Sequence, residues 1–400
     1  MKNLLLTLFI SLSPFITSEV RGEMPIIAYF GVPDWKTTEE NFRTFSECGF
    51  TVSIYPFYQS LDLLVQACRY ADRHGVKVLG HCPEMTNSPA KAASILKGEP
   101  GFYGYFMQDE PNVPQIRSKQ GEIVKLKQTD NSHPFYINLF PYYHDDWVKP
   151  SMKADSYPEY IEAASRTSCQ QISFDFYPIT IKGIRPTWYH NLEMIRRESL
   201  RSGKPFWAFV LSTPHNVPFD EGNYYPDPTP EMLRLQIYSN LAYGAQAIQY
   251  FTYWNPSNEE GFNFHDAPIS LDGKKTKTYA LVQQMNKELR EISRLFYGAK
   301  VLSVHHLGGK LPHGTTRQKR MPLNLKTLKV ISSKGAVISQ FEKNGHRYLA
   351  IVNKDYENSI KVLLSARNNI PRQVTKTLQE KPMNTSYIVM PGDLLLFRLS

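Results

Sequence analysis

The chain is poor in cysteine and, past its first residues, has no long apolar run. Four cysteines in 400 residues (Cys48, Cys68, Cys82 and Cys169) show no C-x-x-C spacing, which argues against a zinc or redox centre. Buried free thiols account for them most simply, and a disulfide stays open only in an oxidising compartment. No stretch after the N-terminus is apolar for long enough to cross a bilayer as a helix. Low-complexity tracts are absent, so the chain is globular throughout. No G-x-G-x-x-G follows the first apolar run, which argues against a dinucleotide fold. The net charge of +9 comes without a recognisable nucleic-acid reader module, so no nucleic-acid partner is expected.

At the N-terminus, Lys2 precedes an apolar run from Leu4 to Ile16, and small residues follow at Ser18 and Gly22. Residues 1–22 therefore read as an export leader, with a mature protein expected in the periplasm or outside the cell. The charge is uneven. From Lys300 onward 17 Lys and Arg stand against 5 Asp and Glu, a balance of +12 that leaves −3 for the rest. Between Lys310 and Lys329 there are six basic residues and no acidic one. A solvated basic face is the plain account; contact with an anionic envelope surface is the sharper one.

From residue 25 the pattern alternates regularly. Apolar, β-prone runs occur at Ile26–Val32, Thr51–Phe57, Val76–His81, Phe102–Met107, Phe135–Phe140, Gln171–Tyr177, Phe206–Leu211 and Ala247–Tyr253. Helical periodicity lies between them, as at Leu61–His74, Pro186–Ser202, Pro230–Tyr243 and Thr276–Phe296. Eight strand–helix units of this size predict an α/β fold, a (β/α)8 TIM barrel over residues 23–298. After Gly298 the helical period disappears. Short strands at Val301–Leu307, Ala336–Glu342, Arg347–Asn353, Ile360–Leu364 and Leu394–Leu399 predict a small antiparallel β-sandwich over 299–400, with a long loop at Gly308–Leu328.

In such a barrel the working residues stand at the C-terminal ends of the strands. Those ends carry Trp35, Tyr58, His81 with Glu84, Asp109-Glu110, His144-Asp145-Asp146, Asp175 with Tyr177, Ser212 with His215, and Tyr253-Trp254-Asn255. Carboxylates mixed with aromatics and amides suit a sugar: rings stack on aromatic faces, hydroxyls bond to amides and acids, and two carboxyls do acid/base work. His81 with Glu84, and His144 with its two aspartates, match no strong metal spacing, so neither a metal nor a cofactor is expected. No nucleophile-elbow pattern surrounds Ser212.

The run Gly104-Tyr105-Phe106-Met107-Gln108-Asp109-Glu110-Pro111 resembles the strand-four signature of clan A glycoside hydrolases, the β-galactosidase-like (family 42-like) barrels. Gln249 to Trp254 resembles their strand eight, and Pro391 to Leu396 the last strands of their accessory β-domains. The resemblance implies that Glu110 is the general acid/base and that Asp109, standing where those families carry Asn, holds a substrate hydroxyl or orients Glu110. Trp35, Tyr177, Tyr253, Trp254 and Asn255 are the expected substrate-binding residues. The sequence departs from the family at strand seven, which ends without an acid. Asp175 is the preferred second catalytic carboxylate, with the loop acids Asp220 and Glu221 as the alternative. The expected function is hydrolysis of a glycosidic bond in an oligo- or polysaccharide. A non-catalytic sugar-binding protein on the same barrel is the other reading that the missing acid leaves open.

Overall fold

The computed structural model describes residues 22–218, 220–258 and 261–399. The expected leader therefore lies, apart from Gly22, outside the described residues. Eight parallel strands close into a barrel: β1 (Ile26–Tyr29), β2 (Val52–Tyr55), β3 (Lys77–Gly80), β4 (Phe102–Asp109), β5 (Phe135–Leu139), β6 (Ile172–Phe174), β7 (Phe206–Leu211) and β8 (Ala247–Phe251). Each neighbours the next, and β8 pairs with β1, Ile26 lying opposite Ile248. Eight helices of eight or more residues surround them: α1 (Glu39–Glu47), α2 (Leu61–Arg73), α3 (Pro89–Leu96), α4 (Val113–Lys127), α5 (Tyr157–Ser165), α6 (Trp188–Ser202), α7 (Pro230–Tyr243) and α8 (Lys277–Phe296). Side-chain oxygens cap several of their starts: Ser60 accepts from Leu63 N–H, and Thr229 from Met232 N–H. Gly203 and Gly244 end α6 and α7 in the left-handed conformation that suits glycine.

The barrel interior is filled by Ile27, Tyr29, Ile54, Leu79, Phe106, Tyr136, Trp207 and Phe209, among others, while the opposite faces of the same strands pack on the helices. The four cysteines are free and buried.

Beyond the barrel run β9 (Lys300–Leu307), β10 (Leu325–Ile331), β11 (Ala336–Lys343), β12 (His346–Asn353), β13 (Ile360–Ala366), β14 (Arg372–Val374), β15 (Glu380–Pro382), β16 (Ser386–Val389) and β17 (Leu394–Arg398). They form a six-stranded sheet, β9-β11-β12-β17-β14-β15, and a three-stranded sheet, β10-β13-β16. Alternation along β12 explains how they stack. Leu349 and Ile351 join the core between the two sheets, whereas Ala350 and Val352 join the core shared with the barrel helices. Helix α7, wedged between barrel and sheet, is buried at every position from Leu235 to Tyr243.

The expected loop over Gly308–Leu328 is shorter than that: its last residues belong to β10. Leu325 and Leu328 are buried while Lys326, Thr327 and Lys329 are exposed. A bulge between Leu325 and Thr327 breaks the two-residue period that would have revealed the strand.

Candidate active site

The C-terminal end of the barrel holds a cavity of about 220 Å³. That lies below the ~300–1,000 Å³ of pockets that enclose a drug-sized ligand, and suits one sugar ring rather than a long chain. Asp109, Glu110 and Asp175 line it, as do Asn138, His215 and a wall of aromatics.

Two irregularities bring the strand-four acids there. Phe106 points into the barrel and Asp109, three residues on, lines the cavity, which strict alternation forbids. The bulge between Phe106 and Gln108 supplies the extra residue. Adjacent strand residues also face opposite ways, yet Glu110 lines the same cavity. It does so because the backbone turns at Glu110, with φ +43°, in the left-handed region that non-glycine residues seldom occupy. Its N–H still donates to Asn138 O at 2.9 Å. Glu110 stands apart from helix α4, which starts at Val113 behind a reciprocal cap between Asn112 and Gln115.

A polar network inside the barrel orients the acids. The Ser173 hydroxyl donates to Asn138 Oδ1 (3.0 Å), which turns the Asn138 amide nitrogen toward Asp109 (3.0 Å) and Asp175 (3.3 Å). Gln249 donates to Ser173 (2.8 Å) and accepts from Tyr136 (2.8 Å), so every amide position in this chain is assigned. Tyr29 donates to the other oxygen of Asp109 at 2.8 Å. Glu110 and Tyr177 line the same cavity as these two acids.

Among the described residues, no lysine or arginine lines this cavity. Enclosure by protein, followed by repulsion from Asp175 and Asp109, holds Glu110 well above the usual carboxylate range. Enclosure and the charge of Asp109 push Asp175 up to about 7. Asp109 is raised as well, for the same desolvation, although it presents much of its surface to the cavity. With no cation among the described lining residues, all three carboxyls are held above their ordinary values.

The walls are aromatic. Tyr143 stacks on Trp147 at 5.2 Å and Phe262 on Phe264 at 4.9 Å, with Tyr177 and Phe251 5.3 Å apart between them. At the end of β7 the residue facing in is His215. Its Nδ1 lies 2.9 Å from Thr213 O, and burial lowers its pKa to about 4, so it is neutral.

Of the residues expected to act, Asp109, Glu110, Asp175 and Tyr177 converge here. Trp35, Tyr253, Trp254 and Asn255 do not line the cavity. Tyr253 packs outward on Phe45 and Phe50 because the alternation along β8 fails at Thr252, and Trp254 is buried beside it. Phe251, two residues earlier, takes the wall position expected of them. Trp35 stays 58% exposed on Tyr55, outside the cavity. Asn255 binds the carbonyls of Pro256 and Phe264 and so shapes a loop. Asp220 pairs with Lys182 at 2.7 Å, and neither it nor Glu221 lines the cavity. Glu84 accepts from Leu61 N–H at the start of α2, and His144, Asp145 and Asp146 are exposed. Among the described residues, Asp227, His265 and Asp266 could meet around an ion, but the Lys277 ammonium already pairs both carboxylates. Trp147, Phe262 and Phe264 were not foreseen; Trp147 ends a three-residue helical turn and the other two lie in a loop, where no period marks them.

Comparison with known proteins fits this geometry. The Glyco_hydro_42 family model, described as Beta-galactosidase, matches residues 120–292. The chain resembles a β-galactosidase from Bacillus circulans sp. alkalophilus, with a TM-score of 0.64 and 12% identity over 95% of this chain and 99% of that one. It also resembles a catalytic mutant of Gan42B, a GH42 β-galactosidase from G. stearothermophilus (TM-score 0.62, 10% identity, 95% and 98% covered). A third similar structure is a β-galactosidase from the psychrophilic Marinomonas ef1 (TM-score 0.54, 8% identity, 94% and 100% covered). No protein of curated function matches the sequence. At these identities the structures share the fold with this chain, and its chemistry has to be read from its own cavity.

Proposed function

We propose that the chain hydrolyses a glycosidic bond of a saccharide whose terminal ring enters the barrel mouth. Glu110 donates a proton to the leaving oxygen and then takes one from water. The observation that carries this reading is that Glu110 shares an aromatic-walled cavity with Asp175 and Asp109, where burial and those two acids hold its carboxyl well above the usual range. A general acid must keep its proton at working pH, and burial beside two acids achieves that. Asp109, fixed by Tyr29 and Asn138, accepts from a ring hydroxyl, and Tyr177 with Phe251 receives the ring face. The leader expected at residues 1–22 would place this activity outside the cytoplasm, and the basic β-domain would then meet anionic envelope material.

Glu110→Gln tests the assignment, because the amide keeps the shape and removes the acid. Turnover should fall by roughly 10²–10⁴-fold with folding intact. Undiminished hydrolysis by this variant would remove Glu110 from the mechanism. Glycan binding by clean wild-type protein, with no cleavage across a broad panel, would select the sugar-binding alternative that the neutral end of β7 favours.

A further inference from the structure

The cavity and the surface beside it carry opposite charge. Among the described residues, Asp109, Glu110 and Asp175 line the cavity and no lysine or arginine does, so it favours an uncharged ring over an anionic one. The loop between β9 and β10 is the reverse. Lys310, Arg317, Lys319 and Arg320 are exposed on it, no acid interrupts them, and none is ion-paired among the described residues.

Tertiary packing brings this loop to the edge of the cavity. Its His313 ring packs at 4.9 Å on His190, in the first turn of α6. A Cβ at Gly314 would overlap the His190 ring, so glycine lets the loop sit this close. His190 in turn packs at 5.4 Å on Tyr142, whose neighbours Pro141 and Tyr143 line the cavity. The boundary between the charges is crossed at Tyr142. Its hydroxyl donates to Asp145 at 2.8 Å, while its ring meets the histidine. The Arg185 guanidinium, 4.7 Å from the Tyr143 ring, carries positive charge up to the wall itself.

Beneath the loop lies a cation without a partner. Lys354, just after β12, is 3% exposed, yet its ammonium has neither an ion pair nor a hydrogen bond among the described residues. It stands 5.9 Å from the ring of Tyr189, which packs at 4.9 Å on His306. His306 lies opposite Arg317, through backbone bonds with Thr316 (2.8 Å) and Gln318 (2.9 Å). The buried Nδ1 of His306 also finds no hydrogen-bond partner among the described residues. Burial and the charge of Arg317 lower the Lys354 pKa to about 8, which leaves it mostly charged near neutral pH. A buried charge that no acid offsets is costly, and an anion from outside would offset it.

Resting on the reading of the cavity as a glycosidase site, we infer that the substrate is an acidic polysaccharide. Its uncharged terminal ring enters the cavity, and carboxylate or sulfate groups farther along the chain lie on residues 310–320, with Lys354 as the buried anchor. Continuity with a cavity that suits one sugar ring selects a polysaccharide over other polyanions.

The test uses the full-length mature protein in native affinity electrophoresis, through gels holding polygalacturonate, carrageenan or neutral galactan. At least one acidic polymer should retard the protein and galactan should not; which polymer acts tells carboxylate from sulfate. Affinity should fall about tenfold between about 0.05 and 0.5 M salt, as charge is screened. Combined Lys310→Glu, Arg317→Glu and Lys319→Glu, all on exposed positions, should weaken retardation by about tenfold or more. Lys354→Met should weaken it by about threefold or more without lowering the thermal midpoint, since the charge removed has no partner. A lower midpoint with unaltered binding would take the anchor, and the inference, away. Glu110→Gln should bind as tightly as wild type, so a failed catalytic assignment is told apart from a failed surface. Equal retardation by galactan, or indifference to both salt and charge reversal, would overturn the inference. So would binding to phosphatidylglycerol vesicles or duplex DNA but to neither acidic polymer. The hydrolase reading would then still rest on its own test.

Discussion

Two groups of enclosed acids show how the same side chain serves opposite ends. At the barrel mouth Glu110 and Asp175 meet other acids and no cation, and both carboxyls rise. Where the barrel meets the β-domain, Glu288 of α8 sits between Arg234 of α7 (3.0 Å) and Lys376 (2.8 Å), with the Tyr238 hydroxyl bonded to it. Lys376 also reaches Asp393 at 2.7 Å, so the cluster ties both parts of the molecule together. There desolvation is outweighed by hydrogen bonds from Arg234, Lys376 and Tyr238, and the Glu288 pKa falls to about 2. Partners, more than burial, decide whether an enclosed acid holds a proton for chemistry or a charge for structure.

Substitutions can break that contrast. The largest effect is expected from Glu110→Gln: roughly 10²–10⁴-fold lower kcat, measured on a cleavable aryl glycoside, with an unchanged circular-dichroism spectrum. Glu288→Gln should do the reverse, leaving kcat per folded molecule near wild type while lowering stability by roughly 1–3 kcal/mol in urea titration. Because the Glu288 pKa is lowered on folding, its contribution is complete above the unfolded value near ~4.3 and fades as pH falls toward about 2. The wild-type/variant difference should shrink over that window, and a constant difference would disprove the ion-pair account.

Asp175→Asn should have the opposite pH signature. The folded pKa of about 7 exceeds the unfolded ~3.9, so the wild type loses stability as pH rises between them, by a few kcal/mol at most. The variant should therefore melt higher than wild type at pH 7–8 and equally near pH 3.5, as scanning calorimetry would show. Smaller still, Phe251→Ala should raise KM by up to about tenfold, the worth of one aromatic contact. Trp35→Ala, outside the cavity, should stay within about twofold on single-ring aryl substrates. A larger loss at Trp35 would extend the sugar site beyond the cavity.

Much of this was legible in the chain. Alternating β-prone and helical runs implied eight units and hence a barrel. The switch of period after Gly298 implied the β-domain. Asp109-Glu110 stood out because two acids end an apolar run, and Asp175 because aromatics flank it. The strand-eight aromatics were misplaced by a local irregularity at Thr252, which moved the wall position from Trp254 to Phe251. β10 was hidden by its bulge and by Lys326 and Lys329 on its exposed face.

Periodicity is a property of neighbouring residues, so sequence alone determined the number of elements, their kind and which strand ends could carry chemistry. Distances between strands are not encoded by any local pattern. Only the closed barrel could put Asp175 in one cavity with Glu110, turn the Asn138 amide onto two acids through Ser173, and leave Asp220 outside beside Lys182. The cavity acids come from strands tens of residues apart along the chain, and their proton affinities follow from what tertiary packing sets next to them.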